Sequence, residues 1–247
     1  MDISVVTPTH NKLSLLRRTL DSLAKQETQA KFEVVVVDDG STDETPQFLA
    51  EFKAPYPLKV VRVEENKGRS AARNRGLEKA EGELVVFLDD DMELVPGFIE
   101  AHAALHRGSG ALGGIGNVIN HPEITMAPID RYMSTRGAQK IKSEGVLPWK
   151  YFSTNNSSVK RADLEAVGGF DENFVWYGFE DLELAWRLEK ERGVVLHFVE
   201  GARSLHIHPH TLQEVLDKKQ LAGRSSMPYM FNKFPQTKTE MGFDKYD

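Results

Sequence analysis

The sequence predicts an α/β fold in which a mostly parallel central sheet is flanked by helices. Residues 32–37 form a β-branched run without polar alternation, which is typical of a strand buried on both faces. Leu13, Leu16, Leu20 and Leu23 recur at helical spacing and mark the apolar face of a helix. Segments of these two kinds alternate over roughly the first hundred residues, which indicates βαβ units and therefore parallel strands.

The elements of the first half follow one another regularly. Pro8 ends the first strand, and residues 41–43 supply capping side chains for a helix whose apolar positions are 48, 49 and 52. Strands are predicted at 3–7, 32–37, 58–63 and 83–88, and the other helices at 13–23, 70–80 and 96–106.

The second half is less regular. A strand is predicted at 111–119, residues 120–149 mix Pro, Gly and polar residues without a strong period, and regular structure resumes at 161–167. A helix follows at 180–193, ended by the C-capping Gly193, and then a strand at 194–199. We expect a single domain at 1–223, with a nucleotide-binding half at 1–108 and an acceptor and catalytic half at 109–223, followed by a C-terminal extension at 224–247.

The composition narrows the class of protein. The 247 residues carry a net charge of −6, and an acidic chain without basic blocks is a poor nucleic-acid binder. The absence of cysteine removes disulfides, thiolate nucleophiles and cysteine metal sites. No signal peptide is visible, and the longest apolar runs fall far short of the ~18 residues of a membrane span. The sequence therefore predicts a soluble cytoplasmic protein.

Acidic residues follow several predicted strands, at the edge where open parallel sheets bind ligands. Asp38 and Asp39 follow one strand, and Asp89, Asp90 and Asp91 follow another. If the triplet is extended, Asp89 and Asp91 point the same way and Asp90 the opposite way. Two carboxylates on one side suit a hard divalent cation with positions left for phosphate oxygens. Capping of the following turn is the alternative.

Basic residues open the helix predicted at 70–80. Arg69, Arg73 and Arg75 lie at or near its N-terminus, a position favourable to anions, and suggest a phosphate partner. An exposed basic helix face is the alternative.

A third group lies around residue 180. Glu180 and Asp181 open a helix, where carboxylates are stabilised by the helix dipole even without a catalytic role. The neighbouring Trp176 and Tyr177 could stack on a sugar or belong to the core. Further along, His206, His208 and His210 share one face if their segment is extended, and imidazole is a common metal ligand, although a structural histidine is more frequent.

Taken together, these segments resemble the family 2 glycosyltransferases, which have the A-type glycosyltransferase (nucleotide-diphospho-sugar transferase) fold. The matching pieces occur in the family's order and cover about residues 3–193. They read VVTPTHN, VVVVDDGSTDET, NKGRSAARNRGLEKAEGE, VVFLDDDMELVPGF, NNSSVKRADLEAVGGFDENF and YGFEDLELAWRL. Each piece is common alone, but the ordered set is specific.

The resemblance implies a role for each matching residue. Asp181 corresponds to the general base, and Glu180 shapes the acceptor or donor pocket. Asp91 is the expected metal ligand of the Asp-x-Asp motif, with Asp89 near the ribose or the metal and His206, or alternatively His208, as a further ligand. The expected nucleotide-sugar contacts are Pro8, Thr9, Asn11, Asp39, Arg73, Asp89 and Asp90, and the expected acceptor contacts are Trp176, Tyr177 and Asn156.

The resemblance also implies the reaction: inverting, Mn²⁺- or Mg²⁺-dependent transfer from a nucleotide-diphosphate sugar, with UDP as the expected nucleotide. The acceptor would be a hydroxyl of a glycan, a lipid-linked sugar or another molecule, contacted by residues 120–149 and the C-terminal third. A sugar-1-phosphate nucleotidyltransferase is one alternative, but residues 5–18 lack the glycine-rich loop that it needs. A non-catalytic sugar-binding module is the other, and the presence of Asp89, Asp91 and Asp181 argues against it.

The segment 215–234 interleaves basic residues with leucine, methionine and aromatic residues. This pattern would suit peripheral contact with an anionic membrane surface. Packing on the domain or on a second subunit of a homodimer is the alternative.

Overall fold

The computed structural model describes residues 1–108, 110–135 and 145–246. The strands in this part of the chain are β1 (Ile3–Thr9), β2 (Phe32–Asp39), β3 (Leu58–Val63), β4 (Leu84–Leu88), β5 (Met92–Leu94), β6 (Leu112–Asn120), β7 (Val146–Leu147), β8 (Asn156–Lys160) and β9 (Val195–His206). The α-helices are α1 (Leu13–Leu23), α2 (Thr45–Glu51), α3 (Arg69–Lys79), α4 (Phe98–His106), α5 (Pro128–Met133), α6 (Arg161–Ala166), α7 (Glu180–Arg192), α8 (Leu212–Arg224), α9 (Ser226–Lys233) and α10 (Gln236–Glu240).

The described strands form one mixed sheet in the order β3-β2-β1-β4-β8-β6-β9-β5, with β7 paired to β9. Strands β1 to β4 are parallel to one another, as predicted. Strand β8 is antiparallel to both β4 and β6, and β6 is parallel to β9. The carboxyl ends of β1, β2, β4 and β9 therefore lie along the same edge of the sheet.

The sheet lies between two helical layers because alternate residues of its central strands face opposite sides. Val5 belongs to an apolar cluster with Leu16 of α1 and Phe98 of α4. Its neighbour Val6 belongs to the opposite cluster, with Leu184 of α7. Burial of both faces explains why the strand sequences read as continuous apolar runs.

Glycine permits the close approach of α3 to the sheet. A Cβ atom on Gly76 would lie 2.3 Å from the Val6 side chain, so a larger residue would push the helix off β1. The predicted C-cap of α7 is confirmed, since Gly193 has the left-handed φ of 64° that favours glycine. These two positions fix the helices that carry Arg73 and Asp181.

Three strands were not predicted, β5, β7 and β8. Strand β8 has the sequence NSSVK, whose polar side chains hide a strand that is almost completely buried. Two of its polar residues have partners: the Asn156 amide donates to Ala202 O, and Ser158 Oγ lies 2.9 Å from His102 Nδ1. Strand β5 is only three residues long. The predicted strand at 194–199 also continues further, to His206, past a register shift opposite Gly116 and Asn117.

The C-terminal helices pack on the domain. The Phe234 ring stacks on Trp186 of α7 at 4.2 Å between ring centroids, and Met230 is fully buried. The Lys233 ammonium lies 2.7 Å from Glu183 of α7. The apolar side chains of α9 therefore follow the packing alternative, whereas Leu216 of α8 stays exposed. Membrane contact, a homodimer through 215–234 and the domain boundary at 223 stay predictions.

Within the described ranges, no helix combines the length and the apolar character that crossing a bilayer requires. The expected acceptor segment at 120–149 contains α5 and β7, and its residues 136–144 lie outside the described part of the chain.

Candidate active site

The pairing of β5 with β9 brings the acidic triplet to the histidine segment. Met92 lies opposite His206, and the Ile207 amide donates to the Asp91 carbonyl oxygen at 3.0 Å. Asp91 Oδ1 consequently lies 3.8 Å from His206 Nε2. Asp91 Oδ1 and His206 Nδ1 are both buried without a hydrogen-bond partner. Such orphaned atoms point to a missing ligand.

Asp90 and Asp91 share one lysine. The Lys12 ammonium lies 3.0 Å from Asp90 Oδ1 and 2.9 Å from Asp91 Oδ2, and the Thr9 hydroxyl also donates to Asp90. The predicted alternation of the triplet is therefore wrong, because these residues form a turn at the strand end instead of an extended segment.

The two buried carboxyl groups titrate differently. Burial raises the pKa of Asp90 to about 6, against the opposing effect of Lys12. Burial would also raise the pKa of Asp91, but the charges of Lys12 and His206 outweigh it and hold that pKa below its usual range. Asp91 is therefore the more readily ionised of the two carboxyl groups.

Arg73 of α3 forms ion pairs with three further acidic residues of the site. Its buried guanidinium lies 3.3 Å from Asp89, 3.4 Å from Glu180 and 3.5 Å from Asp181. One positive charge thus faces three carboxyl groups from two separate motifs. Burial would lower the pKa of Arg73, but these carboxylates raise it, so the arginine stays charged. The Asp89 side chain is 36% exposed.

Asp181 is oriented by Thr154, which precedes β8. The Thr154 hydroxyl donates to Asp181 Oδ1 at 3.0 Å, and its backbone N–H donates to Oδ2 at 3.2 Å. Glu180 is more deeply buried, and burial, followed by the charge of Asp181, raises its pKa. Asp181 is the more accessible of the two carboxyl groups.

The expected nucleoside contacts lie at the ends of β1 and β2 and just after β1, at the same edge, where they are hydrogen-bonded to neighbouring loops. The Asp39 carboxylate accepts the N–H groups of Lys67 and Gly68 at 2.9 and 3.0 Å. Asn11, at a positive φ of 53°, accepts the Thr42 N–H at 2.7 Å. Pro8 lies within β1, which continues to Thr9, so Pro8 does not end the first strand as predicted. Direct contact of these residues with a nucleotide stays a prediction.

The aromatic pair before α7 is accessible. Trp176 is 57% exposed, and the Tyr177 ring lies between the Arg69 guanidinium and the Lys218 ammonium of α8, at 4.8 and 5.6 Å. Asn156, by contrast, is wholly buried in β8 and lies away from the accessible surface, so it is not placed to contact an acceptor.

The basic residues of α3 separate. Arg75 pairs with Glu78 at 2.7 Å on the exposed helix face, as the solvent-face alternative expects, and only Arg69 and Arg73 face the site.

The His210 ring stacks on His206, and His210 Nδ1 lies 3.2 Å from Asp130, while His208 lies edge-on to His206.

The donor set fits a divalent cation that completes its coordination with a ligand. In the described part of the chain, no three Asp, Glu or His side chains are arranged to hold a metal by themselves. Small hard cations in phosphate-transfer sites are often bound through one or two protein ligands plus substrate phosphates. Asp91 Oδ1, which has no hydrogen-bond partner, and His206 Nε2, which lies 3.8 Å from it, are the pair that would supply the protein ligands.

Sequence reasoning missed Lys12 and Thr154. The available signal for Lys12 was its position three residues after the Thr9 that ends β1, which places it at the same edge as the acidic triplet. For Thr154 there was none, since its role depends on the register of the unpredicted β8.

The chain matches known protein families over most of its length. A family model described as glycosyl transferase family 2 matches residues 4–167, and one described as the N-terminal domain of galactosyltransferase matches residues 139–211. The uncharacterized glycosyltransferase YfnE of Bacillus subtilis is 30% identical over 95% of this chain and 71% of that protein. The validoxylamine A glucosyltransferase of Streptomyces hygroscopicus subsp. jinggangensis is 34% identical over 75% of this chain and 51% of that protein.

Solved structures share the fold. The Staphylococcus aureus TarS fragment 1–349 in complex with UDP-GlcNAc has a TM-score of 0.68 at 23% identity, covering 85% of this chain and 60% of that one. The Pyrobaculum calidifontis mannosyltransferase PcManGT in complex with GDP-Man and Mn²⁺ has a TM-score of 0.65 at 24% identity, covering 87% and 59%. The chain thus spans about half to seven-tenths of the length of these relatives.

Proposed function

The chain belongs to glycosyltransferase family 2, and from this membership we propose that it is an inverting, metal-dependent transferase of a sugar from a UDP-linked donor to an acceptor hydroxyl. The observation that carries the proposal is the convergence at Arg73. This arginine joins Asp89, close in the chain to the proposed cation ligand Asp91, to Asp181 at the start of α7. A donor-side group and a base are thereby held on either side of one reaction centre.

Asp181 is the proposed general base. It must accept the proton of the acceptor hydroxyl as the oxygen attacks the anomeric carbon. The two hydrogen bonds from Thr154 hold both carboxylate oxygens in place, and the partial exposure of Asp181 leaves room for the acceptor. One displacement with one base inverts the anomeric centre.

The charges around Arg73 suit the transition state. Three carboxyl groups against one guanidinium leave the cluster negative, even when Glu180, with its raised pKa, holds a proton. A negative cluster stabilises positive charge that develops on the sugar. A divalent cation bound at Asp91 and His206 would offset the negative charge that develops on the leaving diphosphate.

The proposed donor rests on the structures of relatives, and the proposed acceptor rests on an exposed aromatic side chain. TarS was solved with UDP-GlcNAc and PcManGT with GDP-Man, so both nucleotides occur in this fold, and we propose UDP for this chain. We propose that the exposed Trp176 stacks on a sugar ring of the acceptor beside Asp181. A glycan hydroxyl is then the proposed acceptor.

A thermal-shift panel of nucleotide sugars with and without Mn²⁺ tests the proposal without knowledge of the acceptor. One UDP-sugar should raise the Tm in the presence of Mn²⁺ and should be hydrolysed slowly. Asp91→Ala is the matched control and should lose both effects. Stabilisation without any hydrolysis would indicate a binding module instead, and no stabilisation by any UDP-sugar would contradict the proposed donor.

A further inference from the structure

Lys12 contacts only one of the two oxygens of the Asp91 carboxylate. Its ammonium lies 2.9 Å from Asp91 Oδ2, while Asp91 Oδ1, on the His206 side, has no hydrogen-bond partner. The same ammonium lies 3.0 Å from Asp90 Oδ1. Lys12 therefore occupies one side of the Asp91 carboxylate and leaves the other side open.

The position of Lys12 is fixed by its surroundings. It is the N-cap residue of α1, and its carbonyl accepts the N–H groups of Leu15 and Leu16. The preceding Asn11 is tied to the loop after β2 through Thr42. The backbone thus directs the ammonium at the acidic pair from a rigid helix start.

The charge balance has a consequence for cation binding. Asp90 and Asp91 carry two negative charges when ionised, and Lys12 reduces their sum to one. A divalent cation on Asp91 Oδ1 would meet a single net negative charge and a nearby ammonium, so it would bind weakly alone. The diphosphate of a nucleotide would add negative charge on the open side of Asp91. The cation would then be attracted more strongly and would bind more tightly.

We propose that Lys12 makes cation binding depend on the nucleotide, by neutralising the acidic pair until a diphosphate arrives. This inference rests on the proposed metal-dependent function. Lys12 is a positioning residue in this account, since it acts through Asp91. Because coupling between two ligands is reciprocal, the cation should strengthen nucleotide binding by the same factor.

Calorimetric titration of Mn²⁺, with and without saturating UDP, measures the coupling. Wild-type protein should bind Mn²⁺ weakly alone and much more tightly with UDP. Lys12→Met should bind Mn²⁺ alone about tenfold more tightly, and UDP should then improve the affinity about tenfold less than in wild type. Lys12→Arg, which keeps the charge, should stay near wild type, as should Lys25→Met, which removes an exposed charge just beyond α1.

Asp90→Asn supplies a second test that keeps Lys12 and does not depend on folding of the Lys12→Met protein. It removes one negative charge, so Mn²⁺ alone should bind about tenfold more weakly than in wild type. The inference is overturned if Asp90→Asn leaves the affinity for Mn²⁺ alone unchanged, or if folded Lys12→Met binds Mn²⁺ alone no more tightly than wild type. If wild type binds no Mn²⁺ even with UDP, the proposed metal-dependent function fails instead.

Discussion

Replacing Asp181 by Asn tests the proposed base while almost preserving its shape. The carboxylate accepts one hydrogen bond on each oxygen, from the Thr154 hydroxyl and the Thr154 N–H. Asn can keep both contacts, with its oxygen accepting the Thr154 N–H and its amide nitrogen donating to the Thr154 hydroxyl, which can accept as well as donate. The substitution should therefore cost no more than about 1 kcal/mol of stability.

The catalytic effect should be larger than this structural cost. An amide cannot accept the acceptor proton, and losing a general base lowers turnover by about 10²- to 10⁴-fold. The proposed donor site lies on the Asp89 side of Arg73, which keeps Asp89 and Glu180 as partners in this variant. The KM for the donor should therefore change little while kcat falls.

Initial-rate kinetics of UDP-sugar turnover, with binding of UDP and Mn²⁺ measured in parallel, separate these effects. Glu191→Gln changes an exposed carboxylate on the same helix and serves as the matched control. Near-normal turnover in Asp181→Asn, together with a loss of about 10²-fold or more in Glu180→Gln, would refute the assignment and move the base to Glu180.

Other substitutions probe the rest of the site and the fold. Asp91→Ala should abolish UDP-dependent Mn²⁺ binding with an unchanged circular dichroism spectrum, and retained binding would move the metal site elsewhere. Arg73→Met removes the buried partner of three carboxyl groups and should cost about 3–5 kcal/mol in urea unfolding, so a loss under 1 kcal/mol would contradict the described ion pairs. Burial lowers the pKa of His102 to about 4 and of His106 to about 3, so each stays neutral in the fold while the unfolded chain is protonated below about pH 6.5. Each of the two histidines should lower the unfolding free energy by about 1.4 kcal/mol per pH unit as the pH drops from 6.5 to 4.5. His106→Gln should remove one of these two contributions and so halve their sum.

The fold of the first half could be predicted because its strands are buried on both faces. Such strands, with Val34 and Val85 as examples, give uninterrupted apolar runs, and the intervening helices give clear leucine spacing. Strand β8 could not be predicted, because its Ser158 and Asn156 are buried in a hydrogen-bonded network with His102. Sequence periodicity does not reveal buried polar residues whose partners are distant in the chain.

The sequence indicated which residues lie together at the site better than it indicated how they are arranged. The position of acidic residues after β4 indicated a cation site, but the assumption of an extended triplet assigned Asp90 to the wrong side. The pairing of Lys12 with Asp90 spans 78 residues, and that of Thr154 with Asp181 spans 27. Only the sheet order brings such groups together, and no local pattern encodes it.

The configuration of the released sugar tests the central claim most directly. Time-resolved proton NMR of UDP-sugar hydrolysis by the Mn²⁺-loaded wild-type enzyme identifies the anomer that forms first, before mutarotation. Single displacement with Asp181 as the base predicts the β-anomer from an α-linked donor, and loss of its formation in Asp181→Asn. First appearance of the α-anomer would contradict the inverting mechanism.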